Sequence, residues 1–425
     1  MRSLLALVVL LSPLSAHSAN NEGLTPEHVV LGEKMSPAMP LFIENNGVVA
    51  ALSNGETALE DGHLRAAINE GERGKVASIT FNESWSGRLF AKAQQPLNLS
   101  DAIDSGVLTF AMNVTDVAQA GIQVEVSCGD NCRNAVDLWP QLKPLQQQGW
   151  QEFAMPLSCF DRAGADFSSV THPLRFYFYG SGEFSIADVA IKPEGKGNID
   201  CPDQDLITVT PAPLRTYWAD EWWMPRHQQK LAEKETIDPQ LVLIGDSITH
   251  GWEEAGKSVW EANFGHIPTL NLGFSGDRTE NVLWRFEQGE LDGISPKLSV
   301  IMIGTNNTGH RMDTPESIRD GVAQIIAELK QRVPESEVLL LAIFPRGKDN
   351  TDSQRMNNQH ANALLKALAT QENVMFANIN QRFLEDDGTL SEDIMPDLLH
   401  PNETGYRIWA KALSPYISAQ FGAKQ

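Results

Sequence analysis

The chain has 425 residues, and single domains seldom exceed roughly 250 to 300 residues, so its length predicts two domains. It carries 33 Lys and Arg against 55 Asp and Glu, a formal net charge of -22. Such an acidic chain repels polyanions, which disfavours nucleic-acid binding and simple electrostatic attachment to anionic membranes. Neutral carbohydrate and small esters remain open as partners.

The first residues are typical of a secretory signal peptide. Arg2 is followed by the apolar run Leu4–Leu11 and then by small residues up to Ala19. The alternative of a membrane anchor is weaker, because the apolar run is far shorter than the roughly 20 residues that span a bilayer. Residues 1–19 are therefore predicted to be a signal peptide cleaved after Ser18 or Ala19. This predicts a periplasmic or secreted protein with no membrane segment in the mature chain.

Residues 20–200 are predicted to form an all-β sandwich or jelly roll, an accessory domain. Their apolar runs are short, rich in β-branched and aromatic residues, and separated by turns of Gly, Asn, Asp and Ser. So many strands without helical periods between them indicate two packed sheets. The predicted strands are Val76–Phe81, Val107–Val114, Ile122–Val126, Phe153–Leu157, Leu174–Tyr179 and Phe184–Ile191.

The chain has four cysteines, and export makes disulfides their expected use. Four cysteines allow three pairings, of which we favour Cys128 with Cys132 and Cys159 with Cys201. A zinc site is a poor alternative, because the second pair is widely spaced and no histidine stands near either pair. The sequence predicts structural disulfides, with no metal and no other cofactor.

Residues 201–216 are predicted to be a linker, and the pattern changes from Tyr217 onward. Over residues 217–425, near-continuous apolar strands alternate with helical stretches. This alternation is typical of a parallel sheet covered on both faces, so the region is predicted to be a doubly wound α/β domain. The predicted strands are Leu241–Ile244, Thr269–Leu272, Leu298–Ile303, Val338–Phe344 and Val374–Ile379, and the clearest helices are Ser317–Arg332 and Ser353–Thr370.

The first strand of this region runs into a sharp turn that ends on Ser247, a candidate nucleophile. A serine hydroxyl is weakly nucleophilic by itself and needs a base, an orienting carboxylate and donors for an oxyanion. Gly276 follows the second strand and Asn306 the third, at the edge where sites of open α/β sheets gather. The N–H groups of Ser247 and a glycine, with the Asn306 amide, are predicted to form the oxyanion hole.

Asp397 and His400 stand three residues apart, just before the last helix. His400 is predicted to take the proton of Ser247, while Asp397 holds the imidazole tautomer and stabilises the imidazolium. His250 is a rival base, but it follows the nucleophile by only three residues on the same helix. Each of these short motifs alone is weak evidence for a catalytic site. The evidence comes from their order in the chain and from their positions at strand ends.

This constellation resembles the SGNH (GDSL-type) hydrolase superfamily, whose four signature residues would be Ser247, Gly276, Asn306 and His400. Within it, the chain is similar to the catalytic subunits of intracellular platelet-activating-factor acetylhydrolase Ib and their bacterial relatives. The resemblance implies a flavodoxin-like fold, an acyl-serine intermediate without metal, and a preference for short acyl groups. The matching stretches are Gly245-Asp-Ser247, Val282-Leu-Trp-Arg285, Gly289-Glu-Leu291, Gly304-Thr-Asn-Asn307, Phe344-Pro-Arg-Gly347 and Asp397-Leu-Leu-His400.

The N-terminal region resembles the galactose-binding-like ExoP module of some bacterial exo-β-glucanases. The resemblance rests on Val126-Ser-Cys-Gly-Asp-Asn-Cys132, Leu157-Ser-Cys-Phe160 and the strands from Tyr177 to Ile191. Such sandwiches often bind sugars, and Trp85, Trp139 or Trp150 would stack on a pyranose face if exposed. A tryptophan in a sandwich is more often part of the core.

Three functions follow from these observations. The leading one is an exported serine esterase that removes acetyl or other short acyl groups from carbohydrate, with acylated carbohydrate as its partner. The second is a lipid-directed acetylhydrolase or lysophospholipase-like esterase. The third is a carbohydrate-binding protein with a vestigial hydrolase domain, and the complete set of five candidate site residues argues against it.

Overall fold

The computed structural model describes residues 28–128, 135–161, 165–199, 201 and 206–422, with the side chain of Trp85 excepted. The signal peptide predicted for residues 1–19 lies outside the described residues. So does Cys132, the predicted partner of Cys128. Over the described part of the chain, no helix has both the length and the apolar character needed to cross a membrane.

The N-terminal region is all-β, as predicted. Its central strand order is β3-β2-β6-β10-β7-β8, with β1 on β10, β4 on β5, β5 on β6 and β9 on β7. Alternate side chains point into one core, as period-2 patterning requires: Leu41, Ile43 and Asn45 are buried and the residues between them are not. The strands are β1 His28–Leu31, β2 Leu41–Asn45, β3 Val48–Ala51, β4 Gly55–Ala58, β5 Leu64–Gly71, β6 Gly74–Ala91, β7 Val107–Ser127, β8 Val136–Asp137, β9 Trp150–Pro156 and β10 His172–Lys192.

Two pairs of strands that the sequence predicts as separate are single long strands. The predicted Val107–Val114 and Ile122–Val126 both lie in β7, and Leu174–Tyr179 and Phe184–Ile191 both lie in β10. The residues between them do not turn, because the chain stays paired through local shifts of register. β-bulges of this kind bend a strand without ending it, so a glycine such as Gly180 marks a bend here rather than a turn.

The sandwich core is one continuous cluster that includes Phe110, Phe176, Phe178 and Phe184. The predicted disulfide between Cys159 and Cys201 is confirmed, with the two Cα atoms 5.4 Å apart. Cys128 is also disulfide-bonded.

The C-terminal region is built on a five-stranded parallel sheet of order β12-β11-β13-β14-β15. Relative to the chain this is the order 2-1-3-4-5, which is the flavodoxin-like arrangement, and the predicted doubly wound fold is confirmed. The strands are β11 Leu241–Gly245, β12 Thr269–Gly273, β13 Leu298–Met302, β14 Glu337–Leu341 and β15 Met375–Ala377.

Helices cover both faces of this sheet. One apolar cluster joins one face to α4 and α8, and a second joins the other face to α5, α6 and α7. The strands are buried on both sides, which explains their near-continuous apolar sequence. In chain order the helices are α1 Trp139–Leu142, α2 Trp223–Ile237, α3 Ser247–His250, α4 Lys257–Phe264, α5 Thr279–Glu287, α6 Pro315–Arg332, α7 Ser353–Gln371 and α8 Glu403–Phe421.

The segment that joins the two regions is packed against the parallel-sheet region. Thr208 donates its hydroxyl to the Ser317 carbonyl at 2.8 Å, and Leu214 is buried in a small cluster with Trp223 and Phe274. Immediately after this segment, the ring of Tyr217 lies 5.6 Å from that of Tyr179 on β10. The sandwich therefore contacts the chain directly where the α/β region begins.

Candidate active site

Ser247 is the first residue of α3, directly after the sharp turn that ends β11. The turn is held by Asp246, the N-cap residue, whose Oδ1 accepts the Ile248 backbone N–H at 3.0 Å. Burial raises the pKa of Asp246 to about 6. The Ser247 side chain is left half-buried at the carboxyl edge of the sheet.

The structure brings Ser247, His400 and Asp397 together in one line. Ser247 Oγ is 2.8 Å from His400 Nε2, and His400 Nδ1 is 2.5 Å from Asp397 Oδ2. With Nδ1–H donated to the carboxylate, Nε2 is free to accept the serine proton. This is the geometry of a serine nucleophile, a general base and an orienting carboxylate.

Asp397 is positioned by a tight turn before α8. Its Oδ1 accepts the backbone N–H groups of His400 at 2.7 Å and Leu399 at 3.1 Å. Partial burial raises the pKa of Asp397, but the hydrogen bonds from the His400 backbone and ring outweigh it, so the pKa lies below its usual value. Asp397 is therefore ionised at neutral pH and can stabilise an imidazolium.

The rival base His250 is placed on a different partner. Its Nδ1 lies 3.0 Å from Ser275 Oγ. Burial, with the nearby positive charges of Arg226 and Lys230, lowers the pKa of His250 to about 4. A histidine that stays neutral down to this pH is a poor acceptor of a proton near pH 7.

His250 also predicts a pH effect on stability. Above pH 6.5 its ring is neutral whether the chain is folded or not, whereas between pH 6.5 and 4 the unfolded ring gains a proton that the folded ring resists. Stability is lost over that window as the pH falls, by about 2 kcal/mol once solvent screening of the half-buried ring is allowed for. Urea denaturation at pH 7, 5.5 and 4.5 should show that the free energy of unfolding falls less with falling pH in His250→Asn than in wild type. If the free energy of unfolding falls equally with pH in the two proteins, the pH dependence does not come from His250.

Gly276 lies where a close backbone approach requires glycine. Its φ is +82°, and a Cβ built on it would lie 2.0 Å from the ring of Trp218. Its loop is next to the nucleophile, since the preceding residue, Ser275, contacts His250 on α3. The Gly276 N–H is thus a candidate donor to an oxyanion, beside the Ser247 N–H at the start of α3.

Asn306 is tied to the same loop. Its Nδ2 donates to the Asp277 carbonyl at 3.0 Å, which uses one of its two hydrogens and leaves the other for a substrate oxygen. Its neighbour Asn307 is fully buried and accepts the Thr279 N–H at 3.1 Å, so that residue anchors the loop.

If Asn306 donates to the oxyanion, Asn306→Ala should lower kcat by roughly two to three powers of ten, the usual cost of one lost donor. KM should change much less, because the donor acts on charge that develops in the transition state. Steady-state kinetics on one acetyl ester would measure both values. The matched change Asn307→Ala should mainly lower stability. If Asn306→Ala raises KM and leaves kcat unchanged, Asn306 is not an oxyanion donor.

A buried ionic network lies behind the Gly276 loop, and the sequence analysis assigned it no role. Asp277 accepts Trp223 Nε1 at 2.6 Å and Arg285 Nε at 2.9 Å. Arg285 also pairs with Glu290, which in turn lies 2.9 Å from His227 Nδ1. Arg285 and Glu290 stand in stretches that carried the family resemblance, so those motifs held a sequence signal for the network.

Four rings in contact with one another lie beside Gly276 and α3, here called the aromatic rim: Trp218, Trp222, His250 and His310. The Trp218 ring is 6.4 Å from Trp222 and 6.3 Å from His310, and Trp222 is 6.0 Å from His250. Arg278 Nη1 donates to His310 Nδ1 at 3.2 Å. The sequence did not predict Trp218 beside the site.

The candidate sugar-stacking tryptophans of the sandwich have different environments. Trp139 is 3% exposed and donates its Nε1–H to the Val117 carbonyl, so the expectation of an exposed ring is wrong for it. Trp150 is half-buried beneath the guanidinium of Arg73, 5.5 Å from the ring centre. Over the described residues, no group of three or more His, Cys, Asp or Glu is placed to hold a metal ion.

Comparison with known proteins agrees with this geometry. Residues 243–408 match the GDSL-like lipase/acylhydrolase family. Platelet-activating factor acetylhydrolase IB subunit alpha1 of Pongo abelii is 35% identical over 204 residues, which are 48% of this chain and 86% of that protein. The chain belongs to the GDSL-like lipase/acylhydrolase family. This acylhydrolase is an ester-hydrolysing enzyme.

The N-terminal part of this acylhydrolase matches a second family, described as galactose-binding domain-like, over residues 43–191. The structure of an exo-1,3/1,4-beta-glucanase from a Pseudoalteromonas species is similar at 16% identity and a TM-score of 0.34, over 40% of this chain and 21% of that one. The acetylxylan esterase Axe2 from Geobacillus stearothermophilus is similar at 21% identity and a TM-score of 0.36, over 43% of this chain and 94% of that one.

Proposed function

We propose that this acylhydrolase is an exported esterase that removes acetyl or other short acyl groups from carbohydrate. The observation that carries ester hydrolysis is the line from Ser247 through His400 to Asp397. The preference for carbohydrate is supported by the galactose-binding-like domain, which contacts the chain at the start of the catalytic region. A vestigial hydrolase would be expected to have lost at least one of the five candidate site residues, and all five are present.

The proposed reaction has two steps. The Ser247 Oγ–H proton passes to His400 Nε2 as Oγ attacks the ester carbonyl carbon, and the oxyanion is held by the Ser247 and Gly276 N–H groups and the Asn306 amide. The C–O bond to the sugar then breaks, and His400 returns the proton to the leaving oxygen. Water next loses a proton to His400 as its oxygen attacks the acyl-serine carbon. The bond from that carbon to Ser247 Oγ then breaks, His400 returns the proton to Oγ, and the carboxylic acid is released.

A second candidate is a lipid-directed acetylhydrolase, because the relative that is 35% identical is named as a subunit of platelet-activating factor acetylhydrolase. The deciding experiment measures acetate release from acetylated xylan, acetylated mannan and an acetylated ether phospholipid, with Ser247→Ala as the blank. Serine-dependent release from a carbohydrate supports the proposal. Release from the phospholipid alone would replace it with the lipid function.

We also propose that the protein is periplasmic or secreted. The leader-like residues 1–19 support this, and so does the disulfide between Cys159 and Cys201, because disulfides persist in oxidising compartments. Fractionation of cells that make the protein, followed by N-terminal sequencing, should find it outside the cytoplasm with a new N-terminus after Ser18 or Ala19. A cytoplasmic chain that keeps Met1 would contradict export.

A further inference from the structure

The ring of Trp218 covers one wall of the candidate oxyanion site. A Cβ on Gly276 would lie 2.0 Å from its ring carbon Cη2, so the indole rests directly on the Gly276 backbone. An ester whose carbonyl oxygen accepts the Gly276 N–H would therefore lie beside the residue on which this ring rests. Trp218 is half-buried, so part of it still faces solvent.

The rings of the aromatic rim contact one another and are partly open to solvent. Trp222 donates its Nε1–H to the Trp218 carbonyl at 2.8 Å, and the two rings lie within 24° of parallel. His310 is exposed and meets the Trp218 ring edge-on. An acetyl group ends one carbon beyond the reacting carbonyl carbon, whereas a sugar leaving group extends a whole ring beyond its ester oxygen and can cover an indole.

The sandwich domain contacts the segment that carries Trp218. Tyr217 packs its ring 5.6 Å from Tyr179 of β10, and Asp220 pairs with Lys143 from the turn after α1. Asp137 of β8 lies within electrostatic reach of Arg278, the partner of His310. The sandwich therefore contacts the Trp218 segment directly and lies near the arginine that bonds the His310 ring.

We propose that Trp218 is the platform on which the sugar ring of the leaving group stacks, and that the sandwich domain holds it in place through the contact between Tyr179 and Tyr217. This inference rests on the proposed carbohydrate function. The C–H face of a pyranose is an apolar surface that an indole can cover. The galactose-binding-like domain then acts as a structural part of the active site, besides any sugar it binds elsewhere.

The test compares two acetyl esters in Trp218→Ala, one an acetylated xylo-oligosaccharide and the other ethyl acetate, whose alcohol has no ring. The ratio of kcat/KM for the oligosaccharide to that for ethyl acetate should fall about tenfold, mainly through KM. Trp218→Phe should recover part of the ratio. Trp260→Ala, which removes a half-buried tryptophan of α4 that packs on Trp252 and Phe264, is the matched control and should keep the wild-type ratio.

The outcomes separate this inference from the proposed function. If wild type releases acetate from no carbohydrate, both fail. If wild type does release acetate from a carbohydrate, but Trp218→Ala loses activity equally on the two esters, Trp218 is only structural. The inference then fails while the proposed function stands. If the variant instead changes the preference between acetate and butyrate esters of one alcohol, the ring contacts the acyl group, and the inference is also overturned.

A second pair of variants tests the role of the sandwich. Tyr179→Ala removes the ring that contacts Tyr217, whereas Tyr177→Ala removes a ring two residues earlier that lies 5.0 Å from the Arg88 guanidinium. The ratio of the two kcat/KM values should fall in Tyr179→Ala and stay at the wild-type value in Tyr177→Ala, with melting temperatures measured for both. An unchanged ratio in Tyr179→Ala would overturn this part of the inference.

Binding without turnover gives a further readout. In the Ser247→Ala background, titration with the acetylated oligosaccharide should change tryptophan fluorescence, and the additional change Trp218→Phe should remove most of that signal. A signal that persists in full would place the sugar on another tryptophan and contradict the proposal.

Discussion

Ser247→Ala should lower kcat by about five to six powers of ten, the loss seen when a catalytic serine is removed from a serine hydrolase. The reason is that Ser247 Oγ is the atom that lies 2.8 Å from His400 Nε2, so its removal leaves the base without the hydroxyl that it would activate. The free energy of unfolding should change by less than about 1 kcal/mol, since a half-buried hydroxyl is removed without a cavity in the core. Acetate release and urea denaturation of the same preparation measure the two quantities.

The control for this prediction uses the non-additivity of residues that act as one unit. His400→Ala alone should cost nearly as much as Ser247→Ala, and the double variant should be little worse than either. Ser275→Ala, which removes the neighbouring hydroxyl that contacts His250, should cost far less. If the losses of Ser247→Ala and His400→Ala multiply in the double variant, the two residues act independently. The proposed proton transfer from Ser247 to His400 is then wrong.

The fold class was predictable because both regions follow simple burial rules. In the α/β region the strands are buried on both faces, so the sequence shows them as apolar runs, as in Leu241–Ile244. In the sandwich the period-2 pattern marks strands correctly, but it carries no information on whether two strands are continuous. β10 joins two predicted strands because the chain stays paired with β6 and β7 through Gly180 and Ser181.

The residues brought together at the site were all selected from strand ends and from one short motif. In a parallel sheet the carboxyl ends of neighbouring strands share an edge, so Ser247, Gly276 and Asn306 had to lie near one another once the fold was assigned. The orienting pair Asp397 and His400 needed only one turn of chain, and a turn is local. Their catalytic roles stay predictions until the variants are measured.

The neighbours of the site were not predictable in the same way. Trp218 reaches Gly276 from a segment 58 residues earlier in the chain, and only the packing of that segment between two regions places it there. The buried network could not be inferred either, because Asp and Glu normally lie at the surface. Asp277 and Glu290 are fully buried, with Arg285 between them as the cation that they share.

The network therefore gives the largest stability prediction. Arg285→Met leaves the Asp277 and Glu290 carboxylates buried without their cation, and breaking a buried pair in this way typically costs about 3 to 5 kcal/mol. Arg332→Met is the matched control, because Arg332 also contacts two carboxylates, Glu328 and Asp292, but at the surface. Arg332→Met should lower the free energy of unfolding by less than about 1 kcal/mol. Urea denaturation compares the two, and equal losses would refute the argument.

The pH dependence of the Arg285→Met loss identifies its cause. Burial already raises the pKa of Asp277 to about 7, against the opposing attraction of Arg285, so removal of that cation should raise it further. A carboxyl that is protonated when folded and ionised when unfolded makes stability fall as the pH rises above about 4. The part of the Arg285→Met deficit that comes from Asp277 should thus stay nearly constant from pH 4 to 7, where the folded carboxyl is mostly protonated in both proteins, and grow above about pH 7 as the wild-type carboxyl ionises beside Arg285. Removing the charges together, with Asp277→Asn and Glu290→Gln added, should recover much of the stability and flatten this dependence, because a neutral network carries no buried charge. A deficit that is equally large at every pH would instead mean that Arg285 contributes mainly through packing.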